Sequence, residues 1–258
     1  MTGRRVKKLN QIIVLSAFSI FYTAASAANF CVAEGANSNK LWEVVKKYCV
    51  QTKTPDHVQC LTENKNFVVF KSNQIPPHYL LIPTLTVTGI ESPEMWRPGY
   101  PAYFSEAWRQ RYIAAAQFGN KPKQIGIAIN SACNRSQNQL HVHMNCIKPS
   151  VTQELENIKW KINEKKWIKI KINSQQNYYA KRMPGADIPN NLMQDFLKSY
   201  PSAAHHPDRQ SFFATSMHYG SLGERAVVLR SEYRKTNPSR YPGHAEDLLT
   251  SCAPVSDK

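Results

Sequence analysis

The stretch RSQNQLHVHMNC, residues 135–146, sets two histidines two places apart in an apolar run beside a polar turn. On a β-strand alternate side chains share a face. Gln139, His141, His143 and Asn145 would then point one way, and Leu140, Val142 and Met144 the other. Four polar groups over an apolar backing suit a site built on a rigid sheet, with Asn134, Arg135 and Ser136 beside it on the turn. Neutral imidazole attacks phosphorus well at neutral pH, and water readily releases the resulting phosphoramidate. A second histidine or an amide can hold the phosphate oxygens or orient the attacking ring, and nearby donors meet the charge that builds there. Zinc is a rival, but it needs a third ligand and usually a carboxylate from elsewhere. His78, His205, His206, His218 and His244 are available, yet none stands in a recognisable ligand spacing. No second H-x-[ST] copy exists either, as a two-histidine phosphoesterase would require. Two polar residues on a half-exposed strand is the third reading, and spacing alone leaves all three open.

The elements that must position these groups are legible in outline. A strand over 124–130 (QIGIAIN), a polar turn and a strand over 139–147 predict a β-hairpin, and 66–71 and 79–83 predict a second strand pair around a Pro-Pro turn. Residues 37–48 predict a helix with Leu41, Val44, Val45 and Tyr48 on one face. Ser105 is placed as the cap of a helix through 118, with Trp108, Tyr112 and Ala115 on one stripe. Ser150 and Gln153 read as a capping box for a helix to about residue 165 that buries Val151, Leu155, Ile158 and Ile162. Residues 167–172 alternate, Ile168, Ile170 and Ile172 on one side and Lys169 and Lys171 on the other. A helix over 188–200 and a strand over 226–234 complete the pattern. Strands and helices interleave as hairpins, without regular βαβ units, which predicts an α+β fold on an antiparallel sheet.

The whole chain sets the context. Its 258 residues suit one domain with a full core, and 42% hydrophobic content excludes wholesale disorder. Arg4, Arg5, Lys7 and Lys8 precede an uncharged stretch from residue 9 to 33, in which Ala25-Ser26-Ala27 supplies a small-x-small cleavage pattern. Residues 1–28 are expected to be a signal peptide or a retained membrane anchor, and 29–258 a single domain. Either way the body faces away from the cytoplasm: at a bacterial inner membrane on the periplasmic side, or free in the periplasm. Without the four leading cations the body still carries a net charge of about +11, which favours an anionic lipid headgroup or a phosphorylated substrate. Export counts against nucleic acid as a partner. Six cysteines bound for an oxidising compartment predict disulfides, and none is spaced as CxxC.

Several segments in order carry a resemblance to a known family: HYLLIPTLTVTGIESP, AWRQR, INSACNR, SQNQLHVHMNCIKP, YYAKRM, MHYGSLGE and AEDLLTSC. Together they cover most of the chain after about residue 40. The chain resembles the CDP-diacylglycerol pyrophosphatases, a membrane-associated branch related to the histidine-triad superfamily. The resemblance implies a histidine-triad-like α+β domain that hydrolyses CDP-diacylglycerol to CMP and phosphatidate without a metal or other cofactor. The positions of Cys49, Cys60, Cys146 and Cys252 match the family's habit and imply the pairs Cys49–Cys60 and Cys146–Cys252. Cys31 and Cys133 would be left free or paired with each other.

The superfamily pattern H-x-H-x-H, with its middle histidine as nucleophile and a Ser or Thr five places before it, can be laid on this chain in two registers. With Ser136 five before His141, the preferred register makes His141 the nucleophile, His143 the third member and Gln139 the occupant of the first place. Glutamine there departs from the pattern, since it hydrogen-bonds but does not titrate. The other register, His141-His143-Asn145, makes His143 the nucleophile. Asn130 and Ser136 would orient the phosphates, and Arg135, Lys148, Lys181 and Arg182 are candidates for neutralising the diphosphate. His78 is read as structural. The lysine-bearing strand, Trp160 and Trp167 are candidates for a membrane surface, against the plainer reading of core tryptophans and solvated lysines.

Overall fold

The computed structural model describes residues 31, 38–52, 59–62, 64–119, 121–174 and 176–252. The expected leader, 1–28, lies outside them. Among the described residues no helix is long and apolar enough to cross a membrane.

A nine-stranded sheet dominates: β1 (Phe67–Lys71), β2 (Tyr79–Pro83), β3 (Ile125–Ile129), β4 (Val142–Ile147), β5 (Ile168–Ile172), β6 (Gln176–Arg182), β7 (Gln210–His218), β8 (Glu224–Glu232) and the short β9 (Leu249–Thr250). The order is β1-β2-β4-β3-β7-β8-β6-β5, with β9 on the end of β4, and every pairing is antiparallel. The α+β expectation and both strand pairs are borne out. β3 pairs with β4 in the register Ala128↔His143, and β2 with β4 as Leu80↔His143. His143 therefore sits on a central strand, flanked on its own face by Leu80 and Ala128.

Among the described residues four α-helices pack on the sheet: α1 (Lys40–Val45), α2 (Tyr103–Gln117), α3 (Pro149–Ile158) and α4 (Leu192–Ser199). One face is the large core, where Val69, Leu81, Val142, Met144 and Ile127 meet Trp108 of α2 and Phe196 of α4. The face bearing His143 is covered in two separate pieces. Val45 of α1 packs with Val68, Phe70, Leu80 and Ile82 at one end. At the other, Val151 and Leu155 of α3 and Ala245 and Leu248 of a C-terminal 3-10 turn pack with Ala128 and Phe213. The histidines lie between these two clusters, where the sheet is left open.

Local details depart from expectation. The first helix is α-helical only over Lys40–Val45 and continues as a π turn, Lys46–Val50. Ser105 caps nothing: α2 starts two residues earlier, and the Ser105 hydroxyl donates to the Pro189 carbonyl at 3.0 Å. Ser150 and Gln153 form no capping box, because Pro149 opens α3 at its first turn, where a missing N–H costs nothing. That helix ends at Ile158, and one 3-10 turn leads to Ile162, which is buried as expected. Strand β4 starts at Val142, so Gln139 stands in a bend before it. Trp167 is a core residue against Phe196, at 5.8 Å between ring centroids, and so cannot lie on a membrane.

The described cysteines form three disulfides, Cys49–Cys60, Cys146–Cys252 and Cys31–Cys133. The two implied pairs are present, and the remaining two cysteines join each other. Cys146–Cys252 fastens β9 and the C-terminal segment to β4, three residues past His143.

Candidate active site

His141 and His143 come together as expected, with ring centroids 4.9 Å apart and planes at 71°. His141 is buried, and its Nδ1 lies 2.7 Å from the Gln139 carbonyl. That oxygen can only accept, so Nδ1 carries the proton and Nε2 keeps its lone pair. Burial, with the neighbouring His143 charge adding to it, lowers the pKa of His141 to about 4. The ring is thus neutral, in one tautomer, at neutral pH.

His143 is met by a group on the far side of the chain: Glu246 Oε2 is 2.5 Å from its Nε2. Glu246 is in turn 3.2 Å from His244 Nε2 through its other oxygen, and His244 Nδ1 is 2.9 Å from Asp247. Burial would raise the Glu246 carboxyl, but the contacts with His143 and His244 outweigh it and hold the group well below the usual carboxylate range. His244 is raised to about 10 by hydrogen bonding to Asp247 and then Glu246. The segment reaches the site because Gly243 has φ +58°, and a Cβ there would stand 2.6 Å from Ser131 Oγ. Asn130 locks the arrival: its Nδ2 donates to Glu246 Oε2 at 2.9 Å and its Oδ1 accepts from the Glu246 N–H at 3.1 Å.

The other expected residues divide. Ser136 lines a cleft of about 450 Å³ with His141 and His143, walled by Leu41 and Val44 of α1 and by Phe70 and Leu80. Asn130 acts through Glu246. Gln139 is fully buried and turned away from the cleft: its Nε2 donates to the Leu85 carbonyl at 2.9 Å, while its own carbonyl holds His141. Arg135 is buried in a paired contact with Glu91, 2.7 Å between Nη2 and Oε1, and Gly89 leaves the room for its guanidinium. Lys148 lies at the end of β4, five residues or roughly 17 Å along the strand from His143. Lys181 and Arg182 are on β6, four strands from β4. Lys181 pairs with Val228 and so lies on the opposite sheet face, and Arg182 is engaged with Glu164 at 3.2 Å. The structure does not bring these three cations to the histidines.

Residues passed over in the sequence complete the site. His78 lines both the larger cleft and an adjoining polar one of about 260 Å³ that includes Asn145, Glu246 and Thr250; its ring centroid is 6.4 Å from that of His143. Burial and His143 lower its pKa. Glu246 and Glu91 carried no recognisable spacing, and only the fold places them. Among the described residues the group of three possible metal ligands within 4.8 Å is Cys31, Cys133 and Asp208, whose two sulfurs are joined as a disulfide.

Residues 36–255 match the family model described as CDP-diacylglycerol pyrophosphatase. The chain belongs to the CDP-diacylglycerol pyrophosphatase family. A relative named CDP-diacylglycerol pyrophosphatase, from Yersinia pestis, is 38% identical over 126 residues, which is 46% of this chain and 49% of the relative. The match thus spans about half the length of that relative. In this member of the CDP-diacylglycerol pyrophosphatase family the histidine pair, the Glu246 segment and the β2 strand that leads from His78 all fall within the matched residues.

Proposed function

We propose that the protein hydrolyses CDP-diacylglycerol to CMP and phosphatidate, with His141 as nucleophile, in a histidine-triad-like arrangement. His141 Nε2 attacks the cytidylyl phosphorus, the bond to the bridging oxygen breaks, and phosphatidate leaves. Water then attacks the phosphohistidine, gives up a proton to the His143–Glu246 pair, and releases CMP. Ser136, at the cleft beside both histidines, donates to the phosphate oxygens. The scheme needs no cofactor. Its strongest support is the tautomer of His141: with Nδ1 committed to the Gln139 carbonyl and the ring neutral down to about pH 4, Nε2 is ready to attack.

The setting follows from the same reading. The substrate is a membrane lipid, the body is basic, and the leader is a signal or anchor, so we place the enzyme on the periplasmic side of a bacterial inner membrane.

Purified full-length protein, given CDP-diacylglycerol in detergent micelles with EDTA present, is expected to release CMP. His141→Ala abolishes release and His143→Ala strongly reduces it. Full activity in His141→Ala would pass the nucleophile to His143 in the alternative register, and inhibition by EDTA would restore the metal reading. No CMP from the wild type, but binding of the lipid, would leave a non-catalytic carrier; release from soluble dinucleotides alone would mark a different pyrophosphatase.

A further inference from the structure

The end of the sheet next to the histidine cleft has a character of its own. Tyr79 opposes Met144, Ile125 opposes Cys146, and β7 runs to His218 at the same end, so the β1–β2 and β7–β8 turns project side by side. They stand about four strand spacings, roughly 19 Å, apart. Each puts a large apolar side chain into solvent: Ile75 is 98% exposed and Leu222 44%. Trp160, edge-on to Tyr219 at 5.6 Å, joins Leu222 and is 69% exposed. Lys121, Lys123 and Lys161 around them are exposed. The nearby carboxylates are engaged, Glu156 with Lys159 at 2.7 Å and Glu224 with the Ser216 hydroxyl at 2.7 Å. Isolated exposed apolar side chains need no explanation, but tips aligned along one edge among exposed lysines match what an anionic bilayer binds.

The cleft gives that edge a purpose, which rests on the proposed lipid substrate. At about 450 Å³ it is near the low end of the roughly 300–1,000 Å³ of small-molecule sites. It has room for a nucleotide headgroup and none for two long acyl chains. The chains must stay in the bilayer while the headgroup enters, and Asn73 and Gln74, the neighbours of Ile75, line the cleft. We propose that this end of the sheet docks on an anionic bilayer, with Ile75, Trp160 and Leu222 as apolar contacts and Lys121, Lys123 and Lys161 as charged ones.

The test uses full-length protein carrying an environment-sensitive fluorophore at Ile75→Cys or at Leu85→Cys. Leu85 is 68% exposed just past the other end of β2, at the opposite end of the sheet. With vesicles of phosphatidylcholine and phosphatidylglycerol, the label at 75 is expected to blue-shift and brighten severalfold, less so with phosphatidylcholine alone, while the label at 85 stays water-like. No shift at 75, or equal shifts at both positions, overturns the proposal. Ile75→Asp is expected to raise KM severalfold for CDP-diacylglycerol in vesicles and to leave a monomeric short-chain analogue unaffected; equal loss on both overturns it as well. Failure of the wild type to hydrolyse either lipid would instead refute the proposed activity, and the fluorescence would still decide docking.

Discussion

Replacing Glu246 with glutamine removes one negative charge while keeping the side chain's shape. The amide oxygen can still accept from Asn130 Nδ2, and the backbone bond from the Glu246 N–H to Asn130 Oδ1 is untouched. What disappears is the carboxylate 2.5 Å from His143 and 3.2 Å from His244. A hydrogen-bonding contact to a charged group is worth about 1.5–3 kcal/mol, and roughly 1.4 kcal/mol is a factor of ten in rate, so kcat should fall by about 10- to 100-fold. KM should change little, since Glu246 acts through His143. Thermal unfolding supplies an independent readout through His244. Its folded pKa of about 10 lies above the ordinary 6.5, so its contribution to stability is complete below pH 6.5 and is lost as pH rises through 10. In Glu246→Gln only Asp247 remains to hold that proton, so the alkaline loss of stability should be smaller than in the wild type. Initial rates of CMP release between pH 5 and 9, together with melting curves over the same range and up to pH 10.5, check both. A kcat within twofold of the wild type, in a variant whose alkaline stability curve has flattened, would refute the link from Glu246 through His143 to the chemistry.

The His141 ring should keep its Nδ1–H tautomer down to about pH 4 in nitrogen NMR, and titration near 6.5 would contradict its burial. Because the unfolded ring binds a proton in that window and the folded one does not, His141 should also make the protein less stable as pH falls from 6.5 toward 4. Gly89→Ala should destabilise by about 1–3 kcal/mol and lower activity, because the new Cβ collides with the Arg135 guanidinium and pushes it off Glu91; an unchanged midpoint in urea would show that the pair relaxes freely. Cys146→Ser with Cys252→Ser should cost about 2–5 kcal/mol, since the bridge closes a segment of 106 residues, and should lower activity by loosening β9 beside the cleft. Calorimetry and CMP release measure the two effects.

Much of the frame was legible because it is local. The β3–β4 hairpin and the β1–β2 pair announced themselves as apolar runs bounded by turn residues, and the alternation of Ile168, Ile170 and Ile172 matched their burial against exposed Lys169 and Lys171. Strand β7 escaped notice because nearly every residue in it is buried on both faces, which leaves no alternation to read. The caps were misread for a different reason: Ser105 and Ser150 have the right residue type, but the helix starts were decided by the Pro189 carbonyl and by Pro149.

The sequence by itself determined that His141 and His143 stand side by side, His141 just before β4 and His143 in it, and it determined the antiparallel α+β plan, the basic character and the likeness to a lipid pyrophosphatase family, all of which rest on spacing, composition and neighbouring residues. Tertiary structure decided which polar groups serve the histidines. Glu246 reaches His143 across more than a hundred residues, and Asn130 holds it there. Gln139 gives its carbonyl to His141 and buries its side chain. Lys148, Lys181 and Arg182 are carried away by strand length and strand order. Such choices depend on which strands the fold makes neighbours, and a charge or amide in the chain carries no mark of the partner that folding will set against it.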